Sequence, residues 1–248
     1  MADSLVIIPT YNERENIVRM IRTVMGLEKD FHLLIVDDGS PDGTAELIKS
    51  LQAEFPAALH LLEREGKLGL GTAYIAGFRW GLQHGYEYIF EMDADFSHNP
   101  NDLLRLYAAC KDGGADVAVG SRYVRGGQLA DWPADRVFLS KGASLYVRLI
   151  TWMPVMDPTA GFICYHRKVL ETIDLDKIRA IGYAFQIEMK YAARCLGFNI
   201  AEVPITFTDR VEGTSKMSSG IIKEAILGVL RMRWRSFFSS YAVDAAGN

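Results

Sequence analysis

Short apolar runs alternate with stretches of helical spacing through the first half of the chain. Leu5–Ile8, Leu33–Val36, Leu59–Leu62, Tyr88–Met92 and Val117–Val119 have the length and composition of buried strands. Between them apolar residues recur three and four positions apart. Ile17, Met20, Ile21 and Val24 form one stripe, Ala45, Leu47, Ile48 and Leu51 a second, and Tyr74, Phe78 and Leu82 a third, before a fourth through Leu103, Leu104, Leu106 and Tyr107. That spacing lines one face of a helix. Strand and helix in regular alternation predict an α/β fold with a mostly parallel, Rossmann-like sheet and helices on both faces. Such sheets bind ligands beyond the carboxyl ends of their strands. The chemistry is therefore expected just after each apolar run.

Beyond Val119 the rhythm changes. Residues 121–136 are rich in glycine and arginine and read as a loop. Helices are expected over Val137–Trp152 and Ala184–Cys195, and strands over Phe162–Tyr165 and Ile200–Phe207. An amphipathic helix is expected over Ser219–Phe237. This divides the chain into a domain of residues 1–217, a terminal helix within 218–238 and a flexible tail over 239–248.

Composition narrows the class. The 248 residues are 49% hydrophobic and 23% charged, which excludes disorder and coiled coil. No apolar run approaches the ~18–20 residues of a membrane span, since Val137–Trp152 is interrupted by Lys141 and Arg148. Leu5–Ile8 is too short for a signal-peptide core and has no basic flank. A cytoplasmic chain without a transmembrane segment is expected. Cys110, Cys164 and Cys195 are odd in number and widely spaced, against a disulfide framework or zinc site. A net charge of −4 argues against nucleic acid as a partner.

Polar motifs follow the strands. Pro9-Thr10-Tyr11-Asn12-Glu13 ends the first, and Val36-Asp37-Asp38-Gly39-Ser40-Pro41-Asp42-Gly43-Thr44 ends the second. Tyr11 and Val36 could wall a nucleotide base, with Asp38 or Glu13 accepting from its ring N–H. Each loop alone is equally a set of turn and cap residues; at adjacent strand ends they favour a site. Asp93-Ala94-Asp95 ends the fourth strand. Residues i and i+2 of extended chain share a face, so the two carboxylates converge. A divalent cation relieves their repulsion, and Mg²⁺ takes one or two carboxylates plus water and substrate phosphates. Ser97 or His98 stands close enough to contribute.

Gly66-Lys67-Leu68-Gly69-Leu70-Gly71-Thr72-Ala73 fits neither common glycine motif. A phosphate loop fails because Leu61 stands where its first glycine belongs and Leu68 follows Lys67. The dinucleotide fingerprint fails because Tyr74 replaces the third glycine. What remains is a glycine-rich entry to a helix over Thr72–Trp80, suited to close approach of backbone or ligand. Arg122 in Gly120-Ser121-Arg122-Tyr123, Arg136, and the pair Arg210 and Lys216 in Arg210-Val211-Glu212-Gly213-Thr214-Ser215-Lys216 are candidate phosphate ligands. Singly, each would be an ordinary surface cation.

Taken together, these blocks resemble the dolichyl- or polyprenyl-phosphate mannosyltransferases, inverting enzymes of glycosyltransferase family 2 with the GT-A fold. The matching stretches are those at 9–13, 36–44, 66–78, 92–98, 120–123, 157–162 and 210–216, and the likeness runs from Leu5 to about Lys216. The resemblance implies that Pro9, Tyr11, Glu13, Val36 and Asp38 hold the nucleoside. Asp93, Ala94 and Asp95, with Ser97 as a further ligand, would hold Mg²⁺ or Mn²⁺ and the diphosphate. Arg122 and Arg136, beside Ser121, would hold the acceptor phosphate, while Arg210 and Lys216 close over the donor. Asp95, Arg122, Arg136, Arg210 and Lys216 would then carry catalysis. Some relatives have Gln where this chain has Ser97, which bears on the third metal ligand.

The implied activity is transfer of a hexose, mannose from GDP-mannose, with inversion to a polyprenyl or dolichyl phosphate. An α-linked donor would give a β-linked lipid product. UDP-glucose as donor fits the same motifs. A nicotinamide oxidoreductase and a non-catalytic nucleotide-sugar-binding protein are more remote alternatives. Many relatives carry transmembrane helices after the catalytic domain, and no such run follows here. Instead Ile222, Ile226, Val229 and Leu230 share a face of the last helix, and Arg231, Arg233, Trp234, Arg235, Phe237 and Phe238 follow. That pattern suits a peripheral element on the cytoplasmic face of a membrane and equally a helix packed on the core.

Overall fold

The computed structural model describes residues 2–130, 132–182, 184–209 and 219–244, with backbone alone for 219–225. Its first half is a regular alternation: β1 Ser4–Thr10, α1 Arg14–Met25, β2 His32–Asp37, α2 Thr44–Gln52, β3 Leu59–Glu63, α3 Leu70–Gln83, β4 Tyr88–Glu91, α4 Asp102–Lys111 and β5 Val117–Ser121. The second half contributes β6 Gln128–Leu129, α5 Ala134–Thr151, β7 Ile163–His166, α6 Arg167–Thr172, α7 Ala184–Cys195, β8 Ile200–Pro204, β9 Thr206–Phe207 and α8 Ser219–Arg235.

Seven strands pair in the order β3-β2-β1-β4-β7-β5-β8. All pairings are parallel except those of β7, which runs antiparallel to β4 and β5. Alternate residues of β1 feed two apolar layers. Leu5 and Ile7 face Tyr74, Phe78 and Phe185, while Val6 and Ile8 face Ile17, Met20 and Leu103. A sheet buried on both faces favours apolar residues at successive positions, which is why the strands read as nearly continuous runs.

Several elements depart from the sequence reading. Ile200–Phe207 is not one strand. At Ile205, whose amide bonds the Ser121 carbonyl, the chain leaves the main sheet, and β9 pairs with β6 instead. Residues 121–136 therefore hold a short strand, and α5 starts three residues before Val137. Helix α6 has no counterpart in the periodic pattern.

The tail over 239–248, expected to be flexible, is anchored as far as Asp244. Tyr241 is buried beside Tyr191, and its carbonyl accepts from the Asp174 amide while Val243 N–H donates to Thr172. Helix α8 likewise belongs to the same body, since Val229 and Met232 are buried and Tyr146 on α5 donates to the Ile226 carbonyl. Among the described residues no helix is long and apolar enough to cross a membrane.

Asp3 ties the opening of β1 to its surroundings through Lys29, Tyr107 and Ser4. Partial burial alone would raise its carboxyl pKa, but these donors outweigh it and hold the group at about 2, against an ordinary 3.8. Its contribution is present above pH 3.8 and is lost as pH falls toward 2. Asp3→Asn should lower the melting temperature at neutral pH and flatten the loss of stability over that acid window, as read by thermal melts in a pH series.

Candidate active site

The strand ends at β1 and β4 open into a cleft of about 600 Å³. Pro9 and Glu13 come from the first loop, Asp93, Ala94 and Asp95 from the fourth, and Lys67, Gly69 and Leu70 from the entry to α3. The opposite wall is built from Arg179–Gly182, Glu188 on α7, and Val229, Arg231, Met232 and Arg235 on α8. Asp93 and Asp95 thus share one cleft with Lys67, Arg179, Arg231 and Arg235. That polarity suits a bound dication and a diphosphate between them.

Local backbone sets the acids in place. Phe96 takes φ +59°, in the left-handed region, and turns the chain so that the Ser97 amide donates to Asp95 Oδ1 at 3.0 Å. Ser97 is buried behind the cleft and contributes this amide. On the other wall Glu188 is a joint. One oxygen accepts from the amides of Arg179 and Ala180 at 2.9 and 2.8 Å, and the other meets Arg235 and the Tyr241 hydroxyl. Just behind Gly69 and Leu70, which line the cleft, α3 is tightly packed at Gly71. Its amide bonds Ile181 O at 2.7 Å, and a Cβ there would lie 2.7 Å from both the Ala180 carbonyl oxygen and the Phe185 ring.

Beneath the acids lies a sealed charge network. Glu91 and Lys190 are fully buried, and burial pushes the carboxyl up to about 8 and the amine down to about 8. Lys190 Nζ donates to Ala160 O at 2.6 Å. Arg122 forks onto Asp157 at 2.6 and 2.7 Å. Burial would raise Asp157, but the guanidinium holds it below the usual carboxylate range. Between Asp95 and this pair sits His98, stacked on Phe162, whose burial pushes its pKa down to about 4 and keeps it neutral.

A profile described as glycosyl transferase family 2 matches residues 5–174. The polyprenol monophosphomannose synthase of Mycolicibacterium smegmatis is 50% identical over 91% of this chain and 85% of its own. The chain belongs to glycosyl transferase family 2. The undecaprenyl-phosphate mannosyltransferase of Micrococcus luteus is 46% identical over 92% of both chains. Among solved structures, glucosyl-3-phosphoglycerate synthase of Mycobacterium tuberculosis with Mn²⁺, UDP and glucosyl-3-phosphoglycerate gives a TM-score of 0.64 at 17% identity, covering 97% of this chain and 81% of the other. The mannosyltransferase PcManGT of Pyrobaculum calidifontis with GDP-Man and Mn²⁺ gives 0.58 at 17% identity, covering 97% and 66%. The fold of this glycosyltransferase is GT-A, α/β with a mostly parallel sheet.

The glycosyltransferase brings Pro9, Glu13, Asp93, Ala94 and Asp95 to one cleft. Tyr11 stands beside it, its ring centroid 5.0 Å from Lys67 Nζ. Val36 is buried in the core, and Asp38 is held by Arg64 at 2.6 Å. Asp93 and Asp95 fit a cation that keeps open positions for phosphate oxygens; among the described residues no cluster of three His, Cys, Asp or Glu forms a closed cage.

The residues expected on the acceptor side lie apart from the cleft lining. Ser121 is buried, its hydroxyl accepting from the Tyr123 amide. Arg136 pairs with Asp209 at 2.9 Å and lies 3.7 Å over Trp132. Arg122 is committed to Asp157. Arg210 and Lys216 lie outside the described residues.

Arg64, Arg179, Asp157 and Lys190 carry the site's electrostatics without having stood out in the sequence. Asp157 sits in the Asp157–Phe162 block, where its carboxylate could have been paired with the neighbouring motif's arginine. Arg231 and Arg235, read as part of a basic helix end, turn into the cleft, whereas Arg233 lies over Trp152 and Phe237.

Removing one member of a buried ion pair strands the other. Arg122→Ala should cost about 3–5 kcal/mol in denaturant melts, while Arg122→Met with Asp157→Leu should recover most of it. Gly71→Ala should push Ala180 away from α3. The expected result is a loss of about 1–3 kcal/mol together with weaker nucleotide binding by calorimetry.

Proposed function

We propose that this glycosyltransferase transfers mannose from GDP-mannose to the phosphate of a polyprenyl phosphate, with inversion, at a membrane surface. The carrying observation is the cleft in which Asp93 and Asp95 face Lys67, Arg179 and Arg231. High identity to two relatives named for mannosyl transfer to polyprenyl phosphates supports the donor and acceptor classes. PcManGT, crystallised with GDP-Man, shares the fold.

The chemistry follows from charge. An acceptor phosphate is mostly ionised near neutral pH, with a second pKa near about 6. It is already a nucleophile, so no strong general base is required. The demanding step is departure of the nucleoside diphosphate, as negative charge gathers on its bridging oxygen. Lys67, Arg179 and Arg231, which line the same cleft, would stabilise that charge, and Arg210 with Lys216 would add to it. Asp93 and Asp95 would hold a divalent cation, Mg²⁺ or Mn²⁺, which when bound supplies Lewis-acid neutralisation of the diphosphate. Pro9, Glu13 and Tyr11 would fix the nucleoside. Arg136 would guide the acceptor after exchanging Asp209 for phosphate, and Arg122 would hold the loop that aims it. Alignment of the incoming oxygen with the anomeric carbon accounts for much of the remaining barrier.

The lipid reading rests on α5 and α8, which lie side by side. Phe138 and Leu149 on the first, Trp152 just after it, and Ile226, Leu230 and Trp234 on the second are all exposed. Two adjacent helices with outward apolar side chains suit the boundary of a bilayer.

A donor panel of GDP-mannose, UDP-glucose and UDP-N-acetylglucosamine with a short polyprenyl phosphate, with and without EDTA, tests the reading. Product is expected from GDP-mannose and should vanish with EDTA or Asp95→Ala. Preference for UDP-glucose would replace the donor assignment, and turnover indifferent to chelator would remove the metal assignment.

A further inference from the structure

The last described residues of the chain lie along the segment that leads into Arg179. Ala242 pairs with Ile173 in an antiparallel bridge. On either side of it the Asp174 amide donates to Tyr241 O at 2.8 Å and the Val243 amide to Thr172 O at 3.0 Å. Lys177 Nζ donates to the Ala242 carbonyl at 2.8 Å. Just beyond Lys177 begins the cleft-lining stretch Arg179–Gly182.

Tyr241 reaches the same stretch by a second route. Its ring is 3% exposed and meets Tyr191 edge-on, and its hydroxyl donates to Glu188 Oε1 at 3.2 Å. Arg235 engages that same oxygen, while Glu188 Oε2 accepts from the amides of Arg179 and Ala180. A carboxylate is planar, so whatever fixes one oxygen also fixes the direction of the other. Glu188 is buried as well, and a buried carboxylate depends on each donor it has. The donors on Oε1 come from the end of the chain, and the amides on Oε2 belong to the wall of the cleft. Tyr241 itself does not line the cleft.

We infer that Tyr241 is a positioning residue for nucleotide binding: through Glu188 it holds Arg179 and Ala180 in place along the cleft wall. The inference rests on the reading of this cleft as the donor site. Without the hydroxyl, Arg235 would be the one donor left on Glu188 Oε1 among the described residues, and Arg235 lines the cleft. An anionic ligand that drew Arg235 toward itself would then free the carboxylate that orders the wall. With the hydroxyl in place, Arg235 can turn to the ligand while Glu188 keeps a donor.

The test compares two buried hydroxyls in the full chain. Tyr241→Phe removes the one on Glu188. Tyr191→Phe removes one bonded to Ser236 and Arg233 but not to Glu188. Both variants keep their rings, so both should fold and melt slightly below wild type by a similar margin. Hydrogen exchange over residues 178–182, read by mass spectrometry without ligand, should quicken about three- to tenfold in Tyr241→Phe and hold at the wild-type rate in Tyr191→Phe. Calorimetry with GDP or UDP in the presence of Mn²⁺ should show about three- to tenfold weaker binding for Tyr241→Phe alone, the scale on which remote coupling residues act. In turnover the donor KM should rise by the same factor, with kcat and the acceptor KM unchanged. Equal exchange in the two variants would overturn the positioning role, and so would faster exchange with unaltered nucleotide affinity. A wild-type chain that bound neither nucleotide, yet showed the exchange difference, would remove the donor-site reading and the role in nucleotide binding with it.

Discussion

Glu91, Asp93, Asp95 and Asp157 gather around the carboxyl end of the central sheet, and the cations set among them, Arg122 and Lys190, are themselves nearly sealed from solvent. Charges removed from water are tolerated only when each finds a partner of opposite sign or gives up its charge. Both routes are used here. Asp157 keeps its charge against Arg122, while Glu91 and Lys190 are drawn toward their neutral forms. His98, buried and stacked on Phe162, stays uncharged. Beneath the two acids that face the cleft, the protein has therefore built a platform of low net charge. Whatever positive charge reaches those acids must come from the open side.

The same constraint explains the wall that confronts them. Arg179 and Arg231 come from two remote parts of the chain and line one opening with the acids. Their placement depends on Glu188, whose two oxygens pull the segment around Arg179 and the end of α8 toward α7. Gly71 completes the arrangement by letting α3 touch Ala180 and Phe185 without a side chain between them. A carboxylate, a glycine and a terminal helix thus hold the cationic wall at its working distance from the sheet.

Much of this was legible in the residues. The buried strands β1, β2, β4 and β5 announce themselves because both faces of the sheet are covered, so apolar residues fill their central positions, with the buried Glu91 of β4 as the exception. Asp93-Ala94-Asp95 was readable for the same reason, as charged residues directly after such a run. Partners distant in sequence left no local mark. Asp38 looks available until Arg64, 26 residues on, is seen to hold it. Arg122 and Asp157 each resemble a free ligand until folding places them 2.6 Å apart. The polar end of the chain misled for the opposite reason: a single Tyr241, buried against Tyr191, fixes a segment whose composition suggests none of this. Periodicity reports burial within an element, and it is silent about which elements meet.

Helix α8 has one face toward the cleft, with Val229, Arg231 and Met232, and another turned outward with Ile226, Leu230 and Trp234. It also follows directly upon the 210–218 segment. A boundary drawn at residue 217 would consequently leave the cleft short of one side. The rod that closes one side of the chamber is thus the same rod that the molecule turns to its surroundings, a single piece with an inner and an outer duty.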